Sequence, residues 1–263
     1  MDNPLILLVN DDGIDSPGLV AAAEALLPLG RVVVAAPMTQ QTSMGRAYTG
    51  RRDAAFQRVS FPLECVEAYT LDASPAAVVR HALFALQLEP VLVVSGINYG
   101  ENVGINVTGS GTVGATFEAV ERGFPGLAVS LEVEVASHHA YTEQDWTACI
   151  HFTRFFAARI LEKGMVPGAA ILKVEVPANA TPTTTWKARR ISTLPYYHLG
   201  IDSPRPDSPL SEARTLGKFF DLVEPIDTDA YAIRTEKIVA VTPMTMDMTA
   251  YAAMNSIAAW AAE

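Results

Sequence analysis

Residues 5–18 read LILLVNDDGIDSPG, a run of five apolar residues followed at once by polar and turn-forming ones. A short apolar run that stops in this way is typical of a buried central strand of a parallel sheet. Open α/β sheets bind ligands at the carboxyl ends of their strands, where Asp11 and Asp12 are expected. Adjacent carboxylates repel, so a cation between them is one interpretation, and their hard oxygens suit Mg²⁺, Mn²⁺ or Ca²⁺ better than zinc. The alternative is a plain turn in which an aspartate caps a helix that begins near Pro17.

Composition limits the class of protein. The chain has 263 residues, of which 49% are hydrophobic and 18% charged, which suits one large α/β domain or a core with an appended subdomain. The net charge of −10 argues against a general DNA- or RNA-binding protein, which would need a basic face. A small anionic substrate remains compatible with this charge, because a metal ion can supply the positive charge locally.

The cysteines and the N-terminal residues predict the cellular environment. Cys65 and Cys149 form neither a metal-binding spacing nor a disulfide framework, so we expect buried free thiols in a reducing compartment. Residues 1–8 lack the basic region of a signal peptide, and no apolar run is long enough to cross a bilayer. These features predict a soluble cytoplasmic protein without a membrane partner.

The apolar pattern predicts alternating strands and helices up to residue 177. Strands are expected at residues 5–9, 31–37, 90–96, 126–134 and 169–176, short strands within 56–69, and helices at 17–27, 74–86, 110–120 and 146–162. This order predicts an α/β fold with a Rossmann-like, doubly wound, mostly parallel sheet, followed by a C-terminal extension or arm.

The remainder of the chain is less regular. Residues 186–193 resemble an exposed strand, and residues 203–209 contain three prolines, which is typical of an extended arm. We therefore predict a metal- and phosphate-binding core at residues 1–177 and an irregular, β-rich extension at 178–240 that is used in oligomerisation. A closing strand and a helix over 249–262 are predicted in the last segment, 241–263.

Two further loops carry candidate binding residues. Thr42 and Ser43 follow the second predicted strand, and their hydroxyls could bind a cation or a phosphate oxygen, although an ordinary surface loop also fits. Ser110, Gly111 and Thr112 begin a helix after a glycine-rich segment, where backbone amides can bind a phosphate or another oxyanion. A tight turn is the alternative, since the segment matches neither a P-loop nor a dinucleotide fingerprint.

The histidines predict no catalytic triad and no zinc site. None of the five lies in the polar loops at the strand ends, and His138 and His139 lie on a polar connection where we expect them to be solvated. The nucleophile motif G-x-S-x-G is absent, and no His or Cys pair has zinc-binding spacing.

Four segments together resemble the SurE family of metal-dependent nucleotidases over nearly the whole chain. They are VNDDG at 9–13 with Pro17-Gly18, VVSGIN at 93–98 with GEN at 100–102, SGTV at 110–113 with Glu118, and VTP at 241–243 with Asp247 and Thr249-Ala250. The resemblance implies a phosphomonoesterase that hydrolyses nucleoside monophosphates, with 3′-nucleotides or short polyphosphate as further substrates. Because family members exchange arms between subunits, it also implies a homodimer or homotetramer.

The resemblance further implies one divalent metal ion per subunit, Mg²⁺ or Mn²⁺, for which Ca²⁺ can substitute in a crystal. The implied ligands are Asp11, Asp12, Thr42 and Asn98. Thr42 stands where the family usually has serine, residues 38–41 (MTQQ) replace a basic loop, and residues 73–77 (ASPAA) replace Gly-Thr-Pro-x-Asp. These departures indicate a divergent member of the family.

The residue pattern and the resemblance agree on phosphoryl chemistry. A metal-bound water would attack a phosphoryl group whose developing charge the metal neutralises. The predicted catalytic residues are Asp11, Asp12 and Asn98, and the predicted phosphate or substrate contacts are Asn10, Asn102, Ser110, Gly111 and Thr112. The altered loop at residues 38–41 motivates an alternative, a nucleotide or phosphometabolite sensor of the same fold with weak or no turnover.

Overall fold

The computed structural model describes residues 3–218 and 223–260, and within them most strands form one large sheet. The strands in chain order are β1 (Leu5–Val9), β2 (Arg31–Pro37), β3 (Gln57–Val59), β4 (Glu67–Leu71), β5 (Leu92–Tyr99), β6 (Gly126–Leu131), β7 (Ile171–Val176), β8 (Trp186–Ala188), β9 (Tyr197–Gly200), β10 (Arg214–Lys218) and β11 (Val239–Met244). The order across the large sheet is β3-β4-β2-β1-β5-β6-β7-β11-β8, and β9 and β10 form a separate antiparallel hairpin.

The large sheet is mostly parallel, which confirms the predicted α/β fold. Strands β4, β2, β1, β5, β6 and β7 pair in parallel, while β3 and β11 run antiparallel to β4 and β7. The chain builds outward from β1 through β2 to β4 and then returns to the other side of β1 with β5. The strand order therefore reverses between β1 and β5, and such a switch point is where open α/β sheets bind ligands.

Helices cover both faces of this sheet. They are α1 (Pro17–Leu26), α2 (Pro75–Ala85), α3 (Gly111–Glu121), α4 (Thr147–Lys163), the single turn α5 (Asp229–Tyr231) and α6 (Met254–Ala259). Ile6 and Leu8 of β1 pack with residues of α1 and α4, whereas Leu7 and Val9 pack with residues of α2 and α3. Because successive side chains of a strand point to opposite faces, a strand covered on both faces needs an uninterrupted apolar run.

The C-terminal part differs in detail from the sequence-based expectation. The exposed strand expected at 186–193 is only the three residues of β8, and β11 enters the large sheet beside β7. Of the helix expected over 249–262, residues 251–253 form a 3₁₀ turn and α6 follows, so that helix is shorter than predicted. Residues 219–222 of the predicted extension and residues 261–263 lie outside the described part of the chain.

The two cysteines have different environments. Cys149 is buried in α4, but Cys65 is exposed on the connection between β3 and β4, so the expectation that both thiols are buried is wrong for Cys65. That connection joins two short strands at one edge of the sheet.

In residues 3–218 and 223–260, no helix combines the length and apolar character needed to cross a membrane.

Candidate functional site

A pocket of about 380 Å³ lies at the carboxyl ends of β1 and β5, where the strand order reverses. Seven of the candidate binding residues from the sequence line it: Asp11, Asp12, Thr42, Ser43, Asn98, Asn102 and Ser110. They come from the segments that follow β1 and β2, from the end of β5 and from the segment between β5 and α3. Parallel strands bring these distant segments together because their carboxyl ends meet at one edge of the sheet.

The side chain of Asp11 lies at the N-terminus of α3. Thr112 Oγ1 donates a hydrogen bond of 2.5 Å to Asp11 Oδ1, and the backbone groups of Gly111 and Thr112 also hydrogen-bond the carboxylate. A Cβ on Gly111 would lie 2.7 Å from Asp11 Oδ2. The groups at the start of α3 therefore bind the protein's own carboxylate. Gly111 and Thr112 do not line the pocket, and their role as phosphate contacts stays a prediction.

Asp12 is held by groups from three other segments. Its Oδ2 accepts a hydrogen bond of 3.0 Å from the backbone N–H of Tyr99, and its Oδ1 accepts one of 3.3 Å from Gln40 Nε2. The hydroxyl of Tyr141 donates to the carbonyl oxygen of Asp12 at 2.5 Å. These contacts fix both the backbone and the carboxylate of Asp12. In the sequence, Gln40 is marked only as one of the residues at 38–41 that replace the family's basic loop.

Burial disfavours the ionised forms of the Asp11 and Asp12 carboxylates. Burial raises the pKa of Asp11 to about 6, even though the hydroxyl of Thr112 lowers it, and burial with the nearby charge of Asp11 raises the pKa of Asp12 to about 8. A cation beside both groups would favour their ionised forms and offset the repulsion between the two carboxylates. The electrostatics of the pair therefore suit a bound divalent ion.

The remaining donors also suit a hard cation. Asn98 Nδ2 donates a hydrogen bond of 2.7 Å to the carbonyl of Gly100, which leaves its Oδ1 as an acceptor. Asn98 and Thr42 both line the pocket. Among the described residues, no group of three or more His, Cys, Asp or Glu side chains converges on a possible metal position. A cation here would thus combine two carboxylates with hydroxyl and amide oxygens, a set that Mg²⁺, Mn²⁺ and Ca²⁺ accept.

The two other asparagines differ in position. Asn10 is fully buried, and its side chain donates to the carbonyl of Gly13 and accepts from the N–H of Gly13, at 2.9 and 3.2 Å. It closes the turn after β1 and does not line the pocket, and its substrate contact stays a prediction. Asn102 lines the pocket, with its Nδ2 donating to Ser130 Oγ at 2.9 Å.

Sequence analysis missed several lining residues that come from later in the chain. His138, expected to be solvated, is half-buried and lines the pocket, with its ring 5.6 Å from that of Tyr197 and perpendicular to it. Gln40 Nε2 donates to the carbonyl of His138 at 2.7 Å, which connects this segment to the loop beside Asp12. No local motif marks His138 or Tyr197, because only long-range packing brings them to the pocket.

The fold and the pocket define an α/β protein with a pocket at a strand-order switch, beside a pair of buried carboxylates. The chain belongs to the SurE family, whose model, described as "Survival protein SurE", matches residues 6–198. It is 39% identical to the 5′-nucleotidase SurE of Thermococcus gammatolerans over 93% of this chain and 91% of that protein. It is 38% identical to the 5′-nucleotidase SurE of Thermococcus kodakarensis over 93% of each chain.

A solved structure agrees with this assignment. The crystal structure of the SurE protein from Aquifex aeolicus superposes with a TM-score of 0.75 at 28% sequence identity. The match covers 98% of this chain and 100% of the Aquifex chain. The similarity thus extends through the C-terminal part, beyond the residues that the family model matches.

Proposed function

We propose that this protein is a divalent-metal-dependent phosphomonoesterase that hydrolyses nucleoside 5′-monophosphates to a nucleoside and phosphate. The observation that carries the proposal is the buried pair Asp11 and Asp12, which lines a pocket at the strand-order switch. Proteins named 5′-nucleotidase SurE, 38–39% identical over 93% of the chain, support the reaction type.

We assign the proposed ligands of one Mg²⁺ or Mn²⁺ ion to Asp11, Asp12, Thr42 and Asn98. When bound, the ion would lower the pKa of a water molecule and neutralise charge on the phosphoryl group. Around these ligands, Thr112 orients Asp11, and the Tyr99 amide with Gln40 orients Asp12. Partners that hold a ligand in this way tune both metal affinity and the direction of the carboxylate.

Two pocket residues are proposed to contact the phosphate. Ser110 and Asn102 line the same pocket as the aspartates, and both carry neutral hydrogen-bonding groups. Ser110 Oγ also accepts a hydrogen bond of 3.1 Å from the N–H of Val113, which fixes the side chain at the start of α3 while leaving its own proton to donate. One of the two aspartates is proposed to orient the attacking water.

The test is phosphate release from 5′-AMP with Mn²⁺ or Mg²⁺, compared with EDTA. Removing an outer partner of a metal ligand costs about 10- to 100-fold in metal affinity or activity, so loss of a direct ligand in Asp11→Asn is expected to cost about 100-fold or more. Asp15→Asn is the matched control, because Asp15 is an exposed aspartate of the same loop and does not line the pocket. Calorimetric Mn²⁺ titration of both variants gives a second readout.

Full metal-dependent activity in Asp11→Asn would contradict the ligand assignment. Binding of AMP without metal-dependent phosphate release would favour the sensor that the altered loop at residues 38–41 suggested. A panel of 5′-nucleotides, 3′-nucleotides and short polyphosphate, run with each metal, identifies the preferred substrate.

We also propose that residues 1–177 form the metal- and phosphate-binding core and that residues 178–240 form contacts between subunits in a homodimer or homotetramer. Leu210, in the connection between β9 and β10, is 93% exposed, and contact with a second subunit would cover this apolar side chain. Deleting residues 203–210 is expected to lower the molar mass measured by light scattering at unchanged far-UV circular dichroism. An unchanged mass would contradict the proposed use of this arm.

A further inference from the structure

Part of the pocket's lining is apolar and solvent-exposed. Ile105 lies in the 3₁₀ turn Gly104–Gly109, Leu199 lies in β9, and both line the pocket that contains Asp11 and Asp12. Their exposed fractions are 46% and 60%. Covering aliphatic surface in a binding pocket with a flat apolar group is favourable, because it removes apolar surface from water.

The hairpin that carries Leu199 is anchored to the segment after β5, which carries Asn102, a proposed phosphate contact. Lys218 Nζ lies 2.5 Å from Oε1 of the buried Glu101, and the hydroxyl of Tyr197 donates to the carbonyl of Glu101 at 2.8 Å. The N–H of Tyr196 donates to Asn106 Oδ1 at 3.3 Å, and the Tyr196 side chain is buried. Both edges of the hairpin are thus tied to residues 101–106, so Leu199 has a defined position relative to Asn98 and Asn102.

A nucleoside monophosphate has the chemistry that this mixed lining fits. Its phosphate suits the polar and acidic part of the pocket, and its base offers a flat, largely apolar face. The pocket volume of about 380 Å³ lies at the lower end of the range for small-molecule sites, which suits one mononucleotide. A substrate without a base would leave Ile105 and Leu199 in water.

We propose that Ile105 and Leu199 form a nucleobase-binding wall, so that the base is recognised by apolar contact while the phosphate lies at the carboxylate pair. This inference rests on the proposed function and names the part of the substrate that the hairpin binds. Because such contact scales with buried area, the wall favours a nucleotide over a sugar phosphate.

The test compares a substrate that has a base with one that lacks it. Ile105→Ala, Leu199→Ala and the double variant are assayed with 5′-AMP and with D-ribose 5-phosphate at saturating Mn²⁺. Each single change is expected to lower the ratio of kcat/KM for AMP to kcat/KM for ribose 5-phosphate about 5-fold, as for loss of a partly buried aliphatic contact, mainly through KM for AMP. The double variant is expected to lower this ratio further.

Val166→Ala is the matched control, because Val166 is an exposed aliphatic residue on the connection between α4 and β7 and does not line the pocket. It is expected to leave the ratio unchanged. If Ile105→Ala and Leu199→Ala also leave the ratio unchanged while AMP is hydrolysed, the wall is overturned and the phosphatase function stands. If the wild-type protein releases phosphate from neither compound, the proposed function fails. The wall is then tested by calorimetry, because Ile105→Ala and Leu199→Ala should still reduce the preference for binding AMP over ribose 5-phosphate.

Discussion

Asp11 shows how a single residue serves both the fold and the candidate site. Its carboxylate accepts hydrogen bonds from Thr112 and from the first turn of α3, and its burial raises its pKa to about 6. The helix N-terminus thus compensates part of the desolvation of this anion. Gly111 makes the arrangement possible, because a side chain at this position would meet Asp11.

Gly111→Ala is therefore expected to move the Asp11 carboxylate and weaken Mn²⁺ binding by about 10-fold, as for loss of a partner that orients a ligand. The free energy of unfolding should fall as well, because the new Cβ would lie 2.7 Å from Asp11 Cβ, beside the backbone of a buried residue that has little room to move. Calorimetry and urea unfolding measure the two effects separately. In the control Gly109→Ala, the added Cβ would meet no atom within 4 Å, so Mn²⁺ affinity should be unchanged. Equal affinities in the two variants would count against this role of Gly111.

The sequence located the residues that directly follow a buried strand, but not their partners. Asp11 and Asp12 were found because an apolar run ends just before them, and that signal is local. Gln40 hydrogen-bonds Asp12, which lies 28 positions before it in the sequence. Gln40 also hydrogen-bonds the carbonyl of His138, which lies 98 positions after it. Such contacts depend on how whole segments pack, which no spacing within one segment records.

At the scale of elements, the loop after β2 is fastened to α3 by one buried glutamate. Glu118 is 1% exposed and accepts hydrogen bonds from Arg46 at 3.0 and 3.1 Å and from Arg80 at 2.6 Å. Burial alone would raise the pKa of Glu118, but the hydrogen bonds from these two arginines keep it below its usual value. Because Arg46 lies four residues after Thr42, this ion-pair cluster fixes the loop that brings the threonine into the pocket.

Glu118→Gln is expected to lower the free energy of unfolding by about 2 kcal/mol, because the half-buried guanidinium groups of Arg46 and Arg80 lose the buried carboxylate that both contact. It should also weaken Mn²⁺ binding, since the loop that contains Thr42 is less firmly held. Glu121→Gln is the matched control: Glu121 pairs with Arg46 and Arg122 from the same helix but is 41% exposed, so about 1 kcal/mol or less is expected. Urea unfolding of the two variants measures the difference, and equal losses would show that Glu118 is not the anchor.

Across the whole molecule, a buried charge network connects the sheet, the pocket and the C-terminal segment. Lys173 and Glu175 of β7 and Asp229 of α5 are all fully buried, and Lys173 Nζ lies 3.0 Å from Asp229 Oδ2 and 3.4 Å from Glu175 Oε1. Glu175 Oε2 accepts a hydrogen bond of 2.8 Å from the N–H of Asn102 in the pocket loop. The C-terminal segment is thereby joined to the main sheet through charges as well as through β11.

The alternation of strands and helices predicted the fold up to residue 177 because periodicity and strand ends are local features of the sequence. The same patterns could not predict that β11 would add to the sheet beside β7. Lys173 of β7 contacts Glu175 of the same strand and also Asp229, which lies 56 positions after it. The insertion of β11 therefore depends on long-range pairing, for which the sequence of either strand alone carries no signal.

This network predicts how stability changes with pH. Burial raises the pKa of Glu175 to about 7 from its usual 4.5. Between these two values the unfolded chain has released a proton that the folded protein retains, so this group lowers the free energy of unfolding as pH rises from 5 to 8. Glu175→Gln removes that titration, and its free energy of unfolding relative to wild type is expected to rise by about 2 kcal/mol from pH 5 to pH 8. Urea unfolding in EDTA at both pH values measures this change, and Glu162→Gln gives the comparison for loss of a carboxylate that is 63% exposed. A difference between Glu175→Gln and wild type that is constant with pH would mean that Glu175 does not titrate in this window.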